Sequence, residues 1–271
     1  MNTLLFKVAF CSYLISTLCY VTSLLVKRFR IAKVALWLMI AAFLFHSLFL
    51  LYRIFETGQT PILGFHEALN FFAWVMAGIF LALQFKTRTV VLGGFVSPVV
   101  FLLMIYASHG LGTAVAIPAV PQGSLVPVHV ILSVAGEALF ALASCAGAMY
   151  LLQDHFIKQK KAGRIRQLLP SLGDLDRINH FCLLWGFPLL TLGLLAGSLW
   201  ARVVWGSSWQ WDPKQIWTLA VWGTYAVLLH QRLAIGWKGR KSAVFSLLAF
   251  LFFLIAFVVE KAFFTTLHRF F

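Results

Sequence analysis

The sequence predicts an all-α, polytopic membrane protein, a bundle of about eight transmembrane helices with both termini outside. Three observations predict this fold class. Hydrophobic residues make up 61% of the 271 residues and charged residues only 11%, about half the charged fraction of a soluble domain. Eight apolar runs are each long enough to cross a hydrocarbon layer of about 30 Å as a helix. Basic residues, finally, are concentrated in alternate connections between those runs.

The eight runs are predicted to be helices because none of them shows the alternation of apolar and polar residues that a membrane β-barrel strand requires. Each has about 20 or more predominantly apolar residues, which a helix needs to span the membrane. In chain order they are residues 3–25, 34–55, 66–85, 89–107, 128–152, 179–203, 215–236 and 243–264.

The distribution of positive charge predicts the topology. Sixteen of the 22 lysines and arginines lie in four short segments, which follow the first, third, fifth and seventh runs. The loops after the second, fourth and sixth runs contain only one lysine and no arginine, and that lysine is Lys214. Basic loops remain cytoplasmic, so both termini are expected outside. The net charge of +14 therefore reflects topology and contact with membrane lipid, and no nucleic acid partner is implied. The four segments are 27–33, 86–88, 158–177 and 232–241.

No internal repeat or low-complexity tract divides the chain, so residues 1–271 are predicted to form a single integral membrane domain. Two connections differ from the rest. The basic inner loop, residues 153–178, is expected to lie on the inner leaflet as a short interfacial helix. The tryptophan loop, residues 204–214, is expected outside.

The tryptophan loop is the most unusual stretch of the sequence. Together with the start of the next run it contains four of the ten tryptophans within thirteen residues. Membrane interfaces attract indoles, but that explains one or two of them at a boundary. A dense cluster on a short loop indicates a platform for a large, flat, apolar ligand. The four are Trp205, Trp209, Trp211 and Trp217. Asp212 is expected to fix the loop by bonding backbone N–H groups or by pairing with Lys214 or Arg202.

Two histidines are expected at the same membrane level as this platform. His129 begins the fifth run and His268 follows the eighth, and both are predicted to lie outside. Two imidazoles beside a flat ligand are what bis-histidine ligation of haem requires. Zinc is the rival metal, but no cysteine or HExxH motif accompanies the histidines.

Two further histidines lie within the predicted spans. Polar groups at this depth tend to mark a site or a path. His46 is predicted about 20 Å from the inner surface. His230 is shallow if its helix ends at Arg232 and deeper if the helix continues to Trp237, and only the deeper placement allows it to share an iron with His46. The alternative for His46 is a core histidine bonded to a neighbouring helix, and His180 is a fallback partner.

The run from Trp205 to Lys214 reads WGSSWQWDPK and is followed by Trp217 and His230. It resembles the tryptophan-rich WWD-type motif of the CcsA/ResC/CcmC haem-handling family. A weaker match extends back through His129. The resemblance implies that haem b is held against the tryptophan loop with His129 and His268 as axial ligands, and that His230 receives haem inside the membrane. Gln215 departs from the glutamate usual in the family.

This resemblance implies a haem-binding membrane protein that moves or presents haem at the outer face of a bacterial inner membrane for cytochrome c maturation. Its expected partners are apocytochrome c and a CcsB-like membrane protein, with which it would form part of a holocytochrome c synthase (haem lyase). The first alternative is a HemX-like membrane regulator of haem biosynthesis. The second is a permease for another flat ligand, such as a quinone or a porphyrin precursor.

Overall fold

The computed structural model describes residues 2–57, 65–87, 89–110, 125–159 and 169–263. Within those residues it is all helical and contains no strand, which confirms the predicted fold class. A single 3₁₀ turn, Val90–Leu92, leads into the fourth helix. The helices are α1 (Asn2–Val26), α2 (Phe29–Thr57), α3 (Phe65–Thr87), α4 (Gly93–Ser108), α5 (Leu125–Lys158), α6 (Leu172–Trp205), α7 (Pro213–Leu233) and α8 (Arg240–Phe263).

Seven of these helices, α1 to α6 and α8, are long and apolar enough to cross a membrane, so the chain is an integral membrane protein. Among the eight described helices, α7 alone is not apolar enough to be identified as a membrane span by hydropathy. It covers the seventh predicted run. It has 21 residues, but Lys214 and Gln215 lie in its first turn and the His-Gln-Arg triplet 230–232 lies in its last turn. These polar ends lower its hydropathy and leave an apolar middle only about four turns long.

The helices belong to two compact units, and the boundaries between the units fall inside α5 and near the start of α6. The prediction of a single domain is not decided by this division. The first unit comprises the described residues of 1–113 and 148–175. In it α1 and α2 form an antiparallel pair, in which the Ser16 hydroxyl donates to the Ala35 carbonyl at 2.8 Å. Further towards the end of α2, Arg53 and Glu67 form an ion pair of 2.6 Å that joins α2 to α3.

The second unit comprises the described residues of 114–147 and 176–271, and glycines bring its helices close together. A Cβ atom at Gly136 of α5 would lie 2.8 Å from the Leu190 amide nitrogen of α6. A Cβ atom at Gly147 would lie 2.8 Å from the Ala243 carbonyl oxygen of α8. Small residues of this kind allow helix backbones to approach each other inside a membrane. The unit therefore holds α5 in a tightly defined position against α6 and α8.

Both of the distinctive loops are shorter than predicted because the flanking helices continue into them. The basic inner loop loses residues 153–158 to α5 and residues 172–178 to α6. Residues 160–168, the centre of the expected interfacial helix, lie outside the described residues. The tryptophan loop begins after α6 ends at Trp205 and stops where α7 starts at Pro213, so its non-helical part is 206–212.

Candidate functional site

His129 is the fifth residue of α5, half-buried against α6. Its Nδ1 atom is 2.7 Å from the Gly193 carbonyl oxygen. A Cβ atom at Gly197 would lie 2.7 Å from that same Nδ1 atom, so the absence of a side chain at Gly197 makes room for the imidazole. Gly193 and Gly197 are one helical turn apart, and together they form a small cradle for the ring.

The hydrogen bond to Gly193 determines which nitrogen of His129 can bind a ligand. A carbonyl oxygen only accepts, so Nδ1 must carry the proton and donate it. In the neutral ring Nε2 then has a lone pair. Histidines that ligate metals in proteins are held in this way, with the other ring N–H donated to a carbonyl or carboxylate. His129 therefore has the tautomer and the restrained orientation of an axial ligand.

The tryptophan loop begins where α6 is broken by Gly206. This residue has a φ of 75°, in the left-handed region that glycine adopts without steric penalty. The Ser207 hydroxyl then donates to the Trp209 carbonyl at 2.8 Å. The backbone N–H of Gln210 donates to the side-chain Oε1 of Gln215 at 2.9 Å, and this bond ties the loop to the first turn of α7. Gln215, which departs from the family pattern, thus accepts a bond that a glutamate would also accept.

The indoles of the loop and its flanking helices are arranged in pairs. The rings of Trp209 and Trp211 meet edge to face with their centroids 5.5 Å apart. The rings of Trp205 and Trp200 of α6 also meet edge to face, with a centroid distance of 5.3 Å. Trp217 lies on α7, and the centroid of its ring is 6.3 Å from that of Phe252 of α8. Trp200 was not among the predicted platform residues, although its position five residues before Trp205 places it slightly more than one helical turn away.

Trp209 and Trp211 differ in exposure, and each has an unusual feature. Trp211 is 73% exposed and its φ is 53°, a left-handed conformation that is rare for a bulky residue. Trp209 is half-buried, and its indole Nε1 is buried without a hydrogen-bond partner. A buried N–H donor usually finds an acceptor. The loop therefore presents one exposed indole face and one unsatisfied donor.

Asp212 is the N-cap of α7. It is 5% exposed, and its carboxylate accepts the Lys214 backbone N–H at 3.2 Å. Pro213 follows at the first helical position, where a missing N–H does no harm. Of the bonding modes predicted for Asp212, the structure shows the bond to a backbone N–H. This cap sets the point at which the loop ends and α7 begins.

His230 lies in the last turn of α7 and is exposed. Its carbonyl accepts the Ala234 N–H at 2.8 Å, and the helix ends at Leu233. The helix thus ends close to Arg232, the boundary for which a shallow position of His230 was predicted, and its role in haem binding stays a prediction.

Beside His230, Arg232 organises a polar network that the sequence analysis missed. Arg232 is 6% exposed and donates to Oδ2 of Asp176 at 2.9 Å. It also donates to Nδ1 of His180 at 2.9 Å and to the Ser242 hydroxyl. Because a guanidinium cannot accept, Nδ1 of His180 is the acceptor and Nε2 carries the proton of a neutral ring. The Nδ1 lone pair of His180 is thus occupied by Arg232, and its role as a fallback iron ligand stays a prediction.

His46 is completely buried in the first unit. Its Nδ1 atom lies 3.4 Å from the Tyr13 hydroxyl of α1, and the two rings meet edge to face at 5.8 Å. The Asn70 side chain of α3 also interacts with this ring. This packing matches the description of a core histidine bonded to a neighbouring helix. Its role as an iron ligand stays a prediction.

The remaining predicted ligand, His268, lies outside the described residues. Among the residues that the structure does describe, no group of three or more His, Cys, Asp and Glu side chains could hold a metal ion. None of the four cysteines, all of which are described, forms a disulfide. The described part of the candidate site consists of His129, its glycine cradle and the tryptophan loop, all of them in the second unit.

Comparison with known proteins gives a consistent family assignment. Residues 62–268 match the model of the family described as Cytochrome C assembly protein. A cytochrome c biogenesis protein CcsA from Chlamydomonas reinhardtii is 32% identical over 211 residues, which cover 75% of this chain and 59% of that relative. The CcsA of Chlorella vulgaris is 30% identical over 237 residues, covering 76% of this chain and 75% of the relative. The CcsA of Guillardia theta is 27% identical over 264 residues, covering 90% and 88%.

Proposed function

Because this chain belongs to the cytochrome c assembly protein family, we propose that it acts in cytochrome c biogenesis by holding haem b at the tryptophan loop and presenting it for attachment to apocytochrome c. The family match spans the described part of the candidate site. The relatives named above favour this role over a HemX-like regulator of haem biosynthesis.

The single observation that carries the proposal is the hydrogen bond from Nδ1 of His129 to the Gly193 carbonyl, at 2.7 Å. It leaves the Nε2 lone pair for an iron and restrains the ring against α6. The residues present also suit the flat part of the ligand. Trp211 offers a broad apolar face, and the unsatisfied N–H of Trp209 is a donor for a carboxylate oxygen.

Each part of the site has a defined task. His129 would hold the iron of haem through Nε2, and His268 is the second predicted ligand. The indoles hold the ring and exclude water from it. Asp212 and Gln215 keep the loop attached to α7. Haem supplies the iron and the two vinyl groups, across which a CxxCH sequence adds its cysteine thiols. The protein contributes position and axial ligation, and no nucleophile of its own is needed.

The wider setting of the protein follows from the same proposal. The site would face outward from a bacterial inner membrane, since the basic segments place the tryptophan loop outside. A CcsB-like membrane partner would bring apocytochrome c to the loop, and the two proteins would together form the synthase. His230 would contact haem on its way to the loop, and a ligand role for His46 would belong to the same route.

The test is the haem content of the purified full-length protein. We expect a low-spin b-type spectrum, loss of most haem in His129→Ala, and recovery with added imidazole, which refills the vacant axial position. His155→Ala is the matched control, since His155 is exposed at the far end of the same helix. His129→Ala with unchanged haem and spectrum would show that this histidine is structural.

A gene deletion distinguishes the proposed role from regulation. Loss of covalently haem-stained cytochromes c, with total haem unchanged, is expected for a protein that presents haem. Altered haem or precursor levels with normal cytochromes c would instead identify a regulator.

A further inference from the structure

One side of α1 has a row of polar side chains that are buried within the first unit. Tyr13, Thr17 and Tyr20 are spaced by four and three residues, so they lie on the same side of the helix. Their exposed fractions are 0%, 9% and 0%. The hydroxyls of Thr17 and Tyr20 have no hydrogen-bond partner among the residues that the structure describes. Because buried polar groups are costly unless they are bonded, this row requires partners of another kind.

A further hydroxyl, that of Ser97 on α4, lies opposite the same row. The Tyr20 ring packs so closely against Gly93 that a Cβ atom there would lie 2.6 Å from the phenolic oxygen. Eight residues further along α4, Phe101 and Phe10 of α1 have ring centroids 5.2 Å apart. Ser97 is about one turn from each of these two α4 residues, so it lies between the two contacts and level with the row. It is 0% exposed, and within the described part of the chain its hydroxyl also has no hydrogen-bond partner.

The polar groups continue towards the predicted inner surface, where the basic segment 27–33 follows α1. Tyr20 meets Phe80 of α3 edge to face, with ring centroids 6.5 Å apart. Gln84 is about one turn beyond Phe80 in the inward direction, and it is 9% exposed. Its Nε2 donates to the Thr89 carbonyl at 3.2 Å, while its Oε1 has no partner among the described residues.

Aromatic rings close off the opposite, outer end of the row. Phe6 and Phe10 precede Tyr13 on α1 and have ring centroids 6.1 Å apart. Phe6 also packs on Phe49 of α2 at a centroid distance of 5.4 Å, and Phe10 packs on Phe101 as described above. These apolar rings offer water no hydrogen bond of ordinary strength. The polar groups therefore have access to solvent from the inner side alone.

The spacing of the polar groups suits water. Measured along α1, successive groups are about 3–6 Å apart and together cover roughly 16 Å. A single water molecule bridges such a separation, and buried water typically bonds polar groups that the protein leaves unsatisfied. We propose that these side chains line a narrow, water-filled path, which enters the first unit at the inner surface and ends at Tyr13, whose hydroxyl lies 3.4 Å from Nδ1 of His46. Water and protons would reach the middle of this unit without crossing the membrane. The inference is independent of the proposed function, since it involves no haem.

The test is the reactivity of one cysteine placed in the path. Ser97→Cys is made in a full-length chain whose four native cysteines are replaced by alanine. A thiol reacts as its thiolate, which is disfavoured in apolar surroundings. We expect a small, charged methanethiosulfonate reagent to modify Ser97→Cys at least about tenfold faster than Ser47→Cys, the control. In sealed membrane vesicles the reagent should reach Ser97→Cys from the inner side and not from the outer side.

Ser47 is a matched control because it adjoins His46 in sequence, and its hydroxyl is satisfied by the protein. That hydroxyl donates to the Phe43 carbonyl at 2.7 Å and accepts the Trp74 indole N–H at 2.8 Å. A cysteine at this position thus has a similar depth without a predicted contact with water.

A second pair of substitutions, each combined with Ser97→Cys, tests the entrance. Gln84→Leu removes the unsatisfied acceptor at similar size and should slow the modification severalfold. Ser16→Ala should leave the rate unchanged, because the Ser16 hydroxyl is already bonded to the Ala35 carbonyl at 2.8 Å.

Equal rates for Ser97→Cys and Ser47→Cys, or modification from the outer side, would overturn the path. If Ser97→Cys does not fold, the thermal stability of Thr17→Val decides. Removing an unpartnered hydroxyl from dry surroundings raises stability, whereas removing one that is bonded to water does not. Higher stability in Thr17→Val than in the wild-type protein therefore contradicts the inference, and equal or lower stability supports it. None of these results depends on haem, so the proposed function stands or falls separately.

Discussion

Trp211 combines two properties that rarely occur together in a residue with no special task. It is 73% exposed, and its backbone adopts a φ of 53°. A left-handed conformation costs a non-glycine residue about 1 kcal/mol or more. Asparagine adopts the same conformation at lower cost and has no large apolar face. The indole is thus held outward at the expense of local backbone stability.

Trp211→Asn should therefore separate stability from ligand binding. We expect thermal stability in detergent to stay the same or to rise slightly, because the backbone strain is relieved. Haem binding should weaken by about 1–3 kcal/mol, the effect of losing one large apolar contact. The control is Trp37→Phe on α2, where a tryptophan of similar exposure, 71%, lies in a regular helix. Equal haem occupancy in the two variants would reduce Trp211 to a membrane anchor.

Asp212 shows how far the sequence could describe a single residue of the site. Its task of fixing the loop was predictable, because its charge is unsuited to meeting a propionate. The partner of its carboxylate was not predictable, since backbone N–H groups, Lys214 and Arg202 were all candidates. The observed N-cap makes asparagine an adequate replacement, because Asn and Asp cap helices about equally well. Asp212→Ala is therefore the more disruptive change.

At the scale of elements, the position of His129 depends on how closely α5 approaches α6. A Cβ atom at Gly193 would lie 2.4 Å from the Ser133 hydroxyl, and one at Gly197 would lie 2.7 Å from Nδ1 of His129. Both glycines are needed for the contact between the helices. By contrast, a Cβ atom at Gly223 of α7 would meet no atom within 4 Å. Within one unit, α6 thus has a glycine in a crowded position, Gly197, and α7 has a glycine in an open position, Gly223.

Alanine at each of these glycines gives a matched comparison. Gly197→Ala should displace the imidazole and lower thermal stability by about 1–3 kcal/mol, the usual effect of overpacking. Gly223→Ala should be neutral or stabilising by up to about 1 kcal/mol, because alanine is the better helix former. Thermal unfolding and haem per protein measure both effects. Wild-type haem content in Gly197→Ala would mean that the cradle does not position His129.

The helices themselves were predictable because long apolar runs leave few alternatives in a membrane. Their ends were less so. The last turn of α7 was uncertain, since nothing in the sequence decides between Arg232 and Trp237 as its end. The Arg232 network was invisible for a different reason. Its acceptors come from α6 and α8, and only the folded unit brings Asp176 and Ser242 to one guanidinium.

At the scale of the whole molecule, the alternation of basic segments predicts which side each connection occupies. Reporter fusions at Lys27 and Gly239 should be cytoplasmic, and a fusion at Ser208 should be external. Ser208 and Gly239 flank α7, so this pair also tests whether the least apolar of the described long helices crosses the membrane. Reporters on the same side at both positions would overturn the crossing of the membrane by α7 and, with it, the predicted topology around the tryptophan loop.

The polarity of α7 affects the order in which the helices enter the membrane during synthesis. As α7 leaves the ribosome, the residues that satisfy Arg232 from α8 have not yet been synthesised. An arginine entering lipid alone is disfavoured by about 2.5–3.5 kcal/mol near the bilayer centre and by less near an interface. The later arrival of Ser242 and Phe252 supplies a hydrogen-bond acceptor and a packing partner. Insertion of α7 is therefore expected to wait for α8, and the pair to enter the bilayer as a hairpin. A nascent chain that lacks α8 is therefore not expected to carry a stably placed tryptophan loop.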